Sequence, residues 1–187
     1  MVQSLKKALR KSIKEKIEKI DEQKRKKKSS AIKRKLFCSF DFKKAETIMF
    51  YLSKEDEVDT WDMIQEAFKM GKRIAVPYFL EDTCTIQPFL ISEGFDKNLE
   101  KTRLGFCQPQ KGYGKKTGKN DLDLVVVPGL AFDKKGNRLG RGKGCYDKFL
   151  AKLSKRVKTI GIAFSCQIVN KLPISLSDIP VQKVLYA

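Results

Sequence analysis

Residues 124–147 read LVVVPGLAFDKKGNRLGRGKGCYD, and the succession of residue types in this stretch decides the fold. Leu124 to Val127 is a continuous apolar run, as expected of a central strand covered on both faces. Pro128 to Asp147 is glycine-rich and basic, and it runs into a helix over about Tyr146 to Leu153. In open parallel sheets ligands bind outside the carboxyl ends of the strands, where this loop lies. Gly140, Gly142 and Gly144 alternate with Arg141 and Lys143. Glycines let backbone N–H groups approach phosphate oxygens, and a helix starting near Gly144 adds a favourable dipole. Arg138, Arg141 and Lys143 bring full positive charge, and Asp147 is placed to hold a magnesium ion bridging phosphates. The bare pattern has a second reading, a flexible basic loop with Asp147 as an ordinary helix-start carboxylate. Neither the Gly-Lys-Ser/Thr end of a Walker loop nor the GxGxxG spacing of a dinucleotide site is present.

Outward from this segment, strand and helix patterns alternate. Leu5, Leu9, Ile13 and Ile17 recur every four residues among Lys, Arg and Glu, the stripe of an amphipathic helix. A second helix is expected from about Asp21 to Leu36, with Ile32 and Leu36 on one face, so that residues 1–38 form basic N-terminal helices packed on the rest. Thr47 to Leu52 is β-branched and aromatic, a strand signature. Asp59-Thr60 offers an N-cap for a helix from Trp61 to Lys69, and Gly71 stands where a left-handed cap is wanted. Trp61 faces inward with Ile64, Ala67 and Phe68. Ile74 to Val76 is a short strand stopped by Pro77, and Cys84 to Phe89 is a further candidate. Residues 108–121, QPQKGYGKKTGKND, are polar and aperiodic, a mobile loop on the surface or beside a ligand. Asp121 and Asp123 precede the central strand, opposite the ligand edge, and read as structural. Thr159 to Phe164 and Val184 to Tyr186 complete the strands. This alternation over 187 residues implies a single layered α/β/α domain with a largely parallel central sheet.

Composition narrows the chemistry. Apolar residues make up 41% of the chain, enough to bury a core. The longest apolar stretch, Leu122 to Phe132, is broken by Asp123, Pro128 and Gly129 and cannot span a bilayer. With no apolar signal core at the N-terminus, a cytoplasmic protein without membrane contact is expected. Cys38, Cys84, Cys107, Cys145 and Cys166 are scattered without a CxxC, and read as reduced, mostly buried thiols. There is no histidine, which removes Ser-His and Cys-His catalysis, an imidazole base and the ordinary zinc sites. The formal charge of +18 attracts polyanions, including nucleic acid and small phosphorylated or carboxylated substrates. The dense run Lys24 to Lys28 has no reading motif or stacking aromatics beside it, and is taken as a solvated helix face.

Taken together, Val127-Pro128-Gly129-Leu130-Ala131-Phe132-Asp133, Gly136 and Arg138 through Asp147 closely resemble the signature of the 5-formyltetrahydrofolate cyclo-ligase family. The likeness covers nearly the whole chain. Lys6 and Arg10 match an N-terminal basic pair, Glu57 in SKEDEVDT matches a folate-binding glutamate, and Gly71-Lys72-Arg73 and Pro77-Tyr78 also fit. The resemblance implies conversion of 5-formyltetrahydrofolate to 5,10-methenyltetrahydrofolate with ATP and Mg²⁺, releasing ADP and phosphate. The formyl oxygen is phosphorylated, N10 closes the ring, and phosphate leaves.

By the same resemblance, ATP is held by Lys6, Arg10, Arg138, Leu139, Gly140, Arg141, Gly142, Lys143, Gly144, Cys145 and Tyr146. The folate is met by Leu52, Glu57, Phe106 and the segment Arg141, Gly142, Lys143, Gly144 and Cys145. Arg141 and Lys143 are the catalytic pair, and Asp147 binds Mg²⁺. Tyr78, Phe79 and Gln167 are structural or support the site from behind. The partners implied are small molecules, ATP and a folate bearing one or several glutamates, with no nucleic acid, and the chain is expected to be a monomer. Two departures stand out: Cys145 replaces an aromatic, and near the C-terminus Ser177 and Gln182 replace a histidine and a magnesium-associated aspartate. Gln182 is then expected to be at most an outer partner of the metal. Two other functions compete with this one. A basic nucleic-acid-binding protein would use the N-terminal helices and bind with a steep salt dependence. A nucleotide or phosphosugar binder would keep the fold without ligase activity.

Overall fold

The structure, a computed structural model, describes residues 2–103 and 105–187. It runs through helices α1 (Val2–Glu18), α2 (Glu22–Phe37) and α3 (Phe40–Lys44), strand β1 (Thr47–Met49) and helix α4 (Trp61–Lys69). Strands β2 (Arg73–Leu80), β3 (Thr85–Ile91), β4 (Leu99–Lys101), β5 (Cys107–Pro109), β6 (Lys115–Lys116), β7 (Leu124–Val127), β8 (Ala131–Asp133) and β9 (Arg138–Leu139) follow. Helix α5 (Cys145–Leu150) and strands β10 (Lys158–Ala163), β11 (Ile168–Val169) and β12 (Lys183–Tyr186) complete the chain.

Seven strands form the central sheet in the order β12-β10-β7-β1-β2-β3-β6. From β12 to β2 they run parallel, and β3 and β6 are added antiparallel. All of β7 is buried, which is why it reads as unbroken apolar sequence. Leu124 and Val126 pack with Ile32 and Leu36 of α2, Phe42 of α3 and Ile64 of α4. Val125 and Val127 point the other way, to Phe149 and Leu150 of α5. The side-chain alternation of one short strand thus divides the helices into two layers, and the α/β/α expectation holds.

Several local expectations are corrected. Helix α1 does not bury Leu5, which is 55% exposed; its inward stripe is Lys6, Ile13 and Ile17, with Lys6 only 5% exposed. Apolar residues spaced strictly by four drift around a helix of 3.6 residues per turn, so the inward stripe passes through Lys6 instead of Leu5. Strand β2 continues through Pro77, which lies opposite Pro88 of β3. Neither proline has an N–H, so this pair exchanges no ladder bonds and tolerates both rings. Pairing in β1 ends at Met49, although Phe50, Tyr51 and Leu52 remain buried beyond it. Thr60 stands at the N-cap position of α4 but makes no side-chain cap bond; Asp59 accepts from the Trp61 N–H at 2.8 Å, while the Thr60 hydroxyl donates to the Tyr51 carbonyl. Residues 108–121 are not a plain loop: they include the end of β5, the edge strand β6 and a 3₁₀ turn at Lys119–Asp121. Asp123 Oδ2 accepts from the Glu46 and Thr47 N–H groups, each at 2.9 Å, in keeping with a structural role. Among the described residues no helix is long and apolar enough to cross a membrane.

Candidate functional site

At the carboxyl end of β7 the chain turns through Pro128 and Gly129 into the β8–β9 hairpin. A cleft of about 760 Å³ opens there. Every site residue named from the resemblance lines it: Lys6 and Arg10 from α1, Leu52 and Glu57 beyond β1, Phe106 before β5, and Arg138 through Asp147. The α1 residues arrive because the helix lays Ile13 and Ile17 on Leu130, Ala131 and Leu139 of the hairpin. The amino end of the same stripe then overhangs the cleft.

The cations of the cleft have partners drawn from distant segments. Lys6 Nζ forms an ion pair with Asp178 Oδ2 and donates to Ser175 Oγ at 3.0 Å. Arg10 Nε donates to the Gly140 carbonyl at 2.9 Å. Arg138, buried at the base, pairs with Asp147 Oδ1 at 2.8 Å and lies 5.6 Å from the Tyr146 ring centre. Arg141 pairs with Asp56 at 2.8 Å and Glu57 at 3.0 Å. Burial opposes its charge, but the two carboxylates outweigh burial and raise its pKa. Lys143 is exposed and has no carboxylate at ion-pair distance among the described residues. The Tyr146 hydroxyl is shielded from solvent without a hydrogen-bond partner there. Burial first, and then the charge of Glu57, push its pKa far up, so it stays a neutral donor. On the apolar wall Phe106 and Phe79 sit 4.2 Å apart, centre to centre. The loop's glycines serve its shape: Gly142 has φ +117°, a conformation that side-chain-bearing residues rarely adopt. Helix α5 is only six residues long, so the attraction for anions rests on side chains and loop amides more than on the expected helix dipole.

Sequence comparison decides the kinship, because the family described as the 5-formyltetrahydrofolate cyclo-ligase family matches residues 2–187. This chain belongs to that family. A cyclo-ligase of Mus musculus is 34% identical over 99% of this chain and 95% of its own length. Among solved structures, a 5,10-methenyltetrahydrofolate synthetase of Aquifex aeolicus superposes with a TM-score of 0.84 at 30% identity, covering 97% of this chain and 89% of that one. The Mycoplasma pneumoniae synthetase gives 0.76 at 26% identity, covering 96% of this chain and 97% of that one.

Within this cleft of a cyclo-ligase family member the structure adds residues that sequence reading missed. Asp178 and Ser175 hold Lys6, Asp56 shares Arg141, and Phe79 lines the cleft instead of supporting it from behind. No local signal marks Asp178 as the partner of Lys6, since 172 positions separate them. Gln167 is structural as expected, donating to the Gly129 and Leu130 carbonyls. Gln182 is placed elsewhere: its backbone N–H and side-chain oxygen engage Thr159 at the amino end of β10. The cleft and Asp147 lie at the opposite edge, because parallel strands put β12 beside β10 with its start at the sheet's far end. The cysteine expectation is also corrected. Cys84 and Cys145 form a disulfide with their Cα atoms 5.1 Å apart, Cys38 is exposed, and Cys107 and Cys166 are half-buried. The β2–β3 hairpin folds its turn over the end of the glycine loop and brings together two residues 61 positions apart.

No three His, Cys, Asp or Glu side chains cluster as a metal cage among the described residues. Asp147 Oδ1 accepts from Arg138 and from the Ile179 N–H, and Oδ2 accepts no hydrogen bond there. Magnesium takes one or two carboxylates when phosphates supply other ligands, so this arrangement fits an ion carried in by a nucleotide.

Asp178 gives the cleft a pH signature. Burial raises its pKa, but the hydrogen bonds from Lys6 and Ser175 outweigh burial and hold its carboxyl below the ordinary aspartate range. A carboxyl depressed in the folded state contributes stability that is present above its unfolded pKa and is lost as pH falls through the folded value. Denaturation midpoints should therefore decline below about pH 4, and Asp178→Asn should lower the neutral-pH midpoint and flatten that decline. An acid limb identical to that of the unaltered protein would show that the Lys6 pair does not stabilise the fold.

Proposed function

We propose that this chain converts 5-formyltetrahydrofolate to 5,10-methenyltetrahydrofolate, using ATP and magnesium. The observation that carries the reading is convergence: residues from Lys6 to Asp147, picked out by family resemblance, line one cleft. Arg10, Arg138, Lys143 and the amides of Gly140 to Gly144 receive the ATP phosphates. Arg141 exchanges Asp56 and Glu57 for phosphate oxygens, which releases Glu57 to meet the folate. The flat pterin ring lies along Phe106 and Phe79, with Leu52 beside it. Asp147 would hold a magnesium ion carried in with ATP, and the ion would supply positive charge that offsets the phosphates.

The γ-phosphoryl group passes to the formyl oxygen, N10 attacks the formyl carbon and gives up its proton, and the carbon–oxygen bond breaks. The formyl oxygen departs with the phosphate. Such transfer rests on positioning and charge neutralisation, which explains how a chain without histidine performs it. An assay with ATP, Mg²⁺ and 5-formyltetrahydrofolate should develop the methenyl chromophore only when all three are present. Folded protein that gives none, or product without nucleotide, would overturn the proposal.

A further inference from the structure

The disulfide lies at the edge of the nucleotide loop, not in a remote part of the fold. Cys145 opens α5 immediately after Gly144, and Cys84 sits in the β2–β3 turn with φ +51°. Cys84 Sγ is also 3.3 Å from the Lys143 carbonyl oxygen, so its thiol has a hydrogen-bond acceptor waiting when the bond is reduced. A small hollow lined by Leu80, Glu81 and Lys143 surrounds the pair and gives a small thiol access. On its other end the loop is tied by Arg10 to Gly140. Space remains for movement, since nothing lies within 4 Å of the position that a Gly144 Cβ would take.

We infer that Cys84 and Cys145 form a reversible thiol–disulfide site that sets the freedom of the glycine loop and, through it, nucleotide affinity. The effect on affinity rests on the ATP reading of the cleft given above. In the reducing direction a thiolate of a low-molecular-weight thiol attacks one sulfur, the Cys84–Cys145 bond breaks, and a mixed disulfide forms. A second thiol resolves it, leaving two protein thiols and one small disulfide. The small disulfide drives the reverse reaction. While bridged, Lys143 and Gly144 are held toward the hairpin, and closing over phosphates must work against that bond. Once reduced, the loop is free to close.

The test uses the full chain equilibrated in glutathione buffers, oxidised or reduced, and then unfolded with a thiol alkylator. Three alkylated cysteines (Cys38, Cys107 and Cys166) are expected from the oxidised protein and five from the reduced. Hydrogen exchange across residues 140–144 should be slower in the oxidised form, and the melting midpoint higher by roughly 5–10 °C. ATP should bind the reduced form at least threefold more tightly. Cys84→Ser should behave like the reduced protein in both buffers. Five alkylated cysteines in the oxidised buffer, or a bond that leaves loop exchange unchanged, would overturn the inference. So would redox-dependent exchange that persists in Cys84→Ser. If exchange responds as expected but ATP binds neither form, the latch stands and the nucleotide assignment of the cleft falls.

Discussion

Lys143→Ala should lower turnover in the proposed ATP-dependent reaction about a hundredfold or more, with melting temperature and circular dichroism unchanged. The two halves of this expectation have separate causes. In the resting protein Lys143 is exposed and unpaired with any carboxylate among the described residues, so its removal breaks no contact that supports the fold. In the proposed reaction its charge is aimed at the group being transferred, and such preorganised charge is worth most where water is excluded. Arg141→Ala differs, because it also leaves Asp56 and Glu57 facing each other without their cation. Measuring kcat and KM for ATP in both variants separates the effects. Near-normal turnover in the double variant would remove the phosphate-cradle reading.

Gly136→Ala should be the most damaging single methyl group added to the chain. Gly136 has φ +82°, and an added Cβ would stand 2.1 Å from the Val181 carbonyl oxygen. That oxygen belongs to the backbone, and the Val181 N–H donates back to the Gly136 carbonyl at 2.9 Å, so neither segment can yield cheaply. The left-handed conformation costs about 1–2 kcal/mol for an L-residue, and overpacking adds about 1–3 kcal/mol. At roughly 2–4 °C per kcal/mol for a chain of this size, a melting-point loss of about 10 °C is expected. Gly142→Ala is the control. Its φ is +117°, but the nearest atom to its Cβ is 3.7 Å away, on the flexible Arg10 side chain. It should lose much less stability and be felt mainly in nucleotide binding. Equal melting points for the two alanine variants would show that the Val181 contact is not the cause.

The stretch from Leu124 to Asp147 was legible because its information is local. An unbroken buried strand, a glycine-rich turn and a helix start are each written in adjacent residues, and together they place a binding edge at the end of a parallel sheet. Helix α4 was legible for the same reason, from its apolar spacing and its terminal Gly71. Length and boundary were less so. Arg73 to Leu80 keeps its ladder across Pro77 because the facing residue is also a proline, a fact about register that neither segment contains alone.

Sequence by itself determined the alternation of the main central strands with helices, the glycine loop, and the cationic and carboxylate residues that the family resemblance singles out, but not the short strands β4, β5, β6, β8, β9 and β11. Tertiary structure alone decided which carboxylate meets which cation: Asp178 with Lys6, Asp147 with Arg138, Asp56 and Glu57 with Arg141. It also decided that Gln182 belongs to the far end of the sheet and that Cys84 meets Cys145. Periodicity and capping act over a few residues and leave their mark in the order of the chain. A salt bridge or disulfide forms between atoms that folding brings within a few ångströms, whatever their separation in sequence, and that proximity is set by how the layers pack.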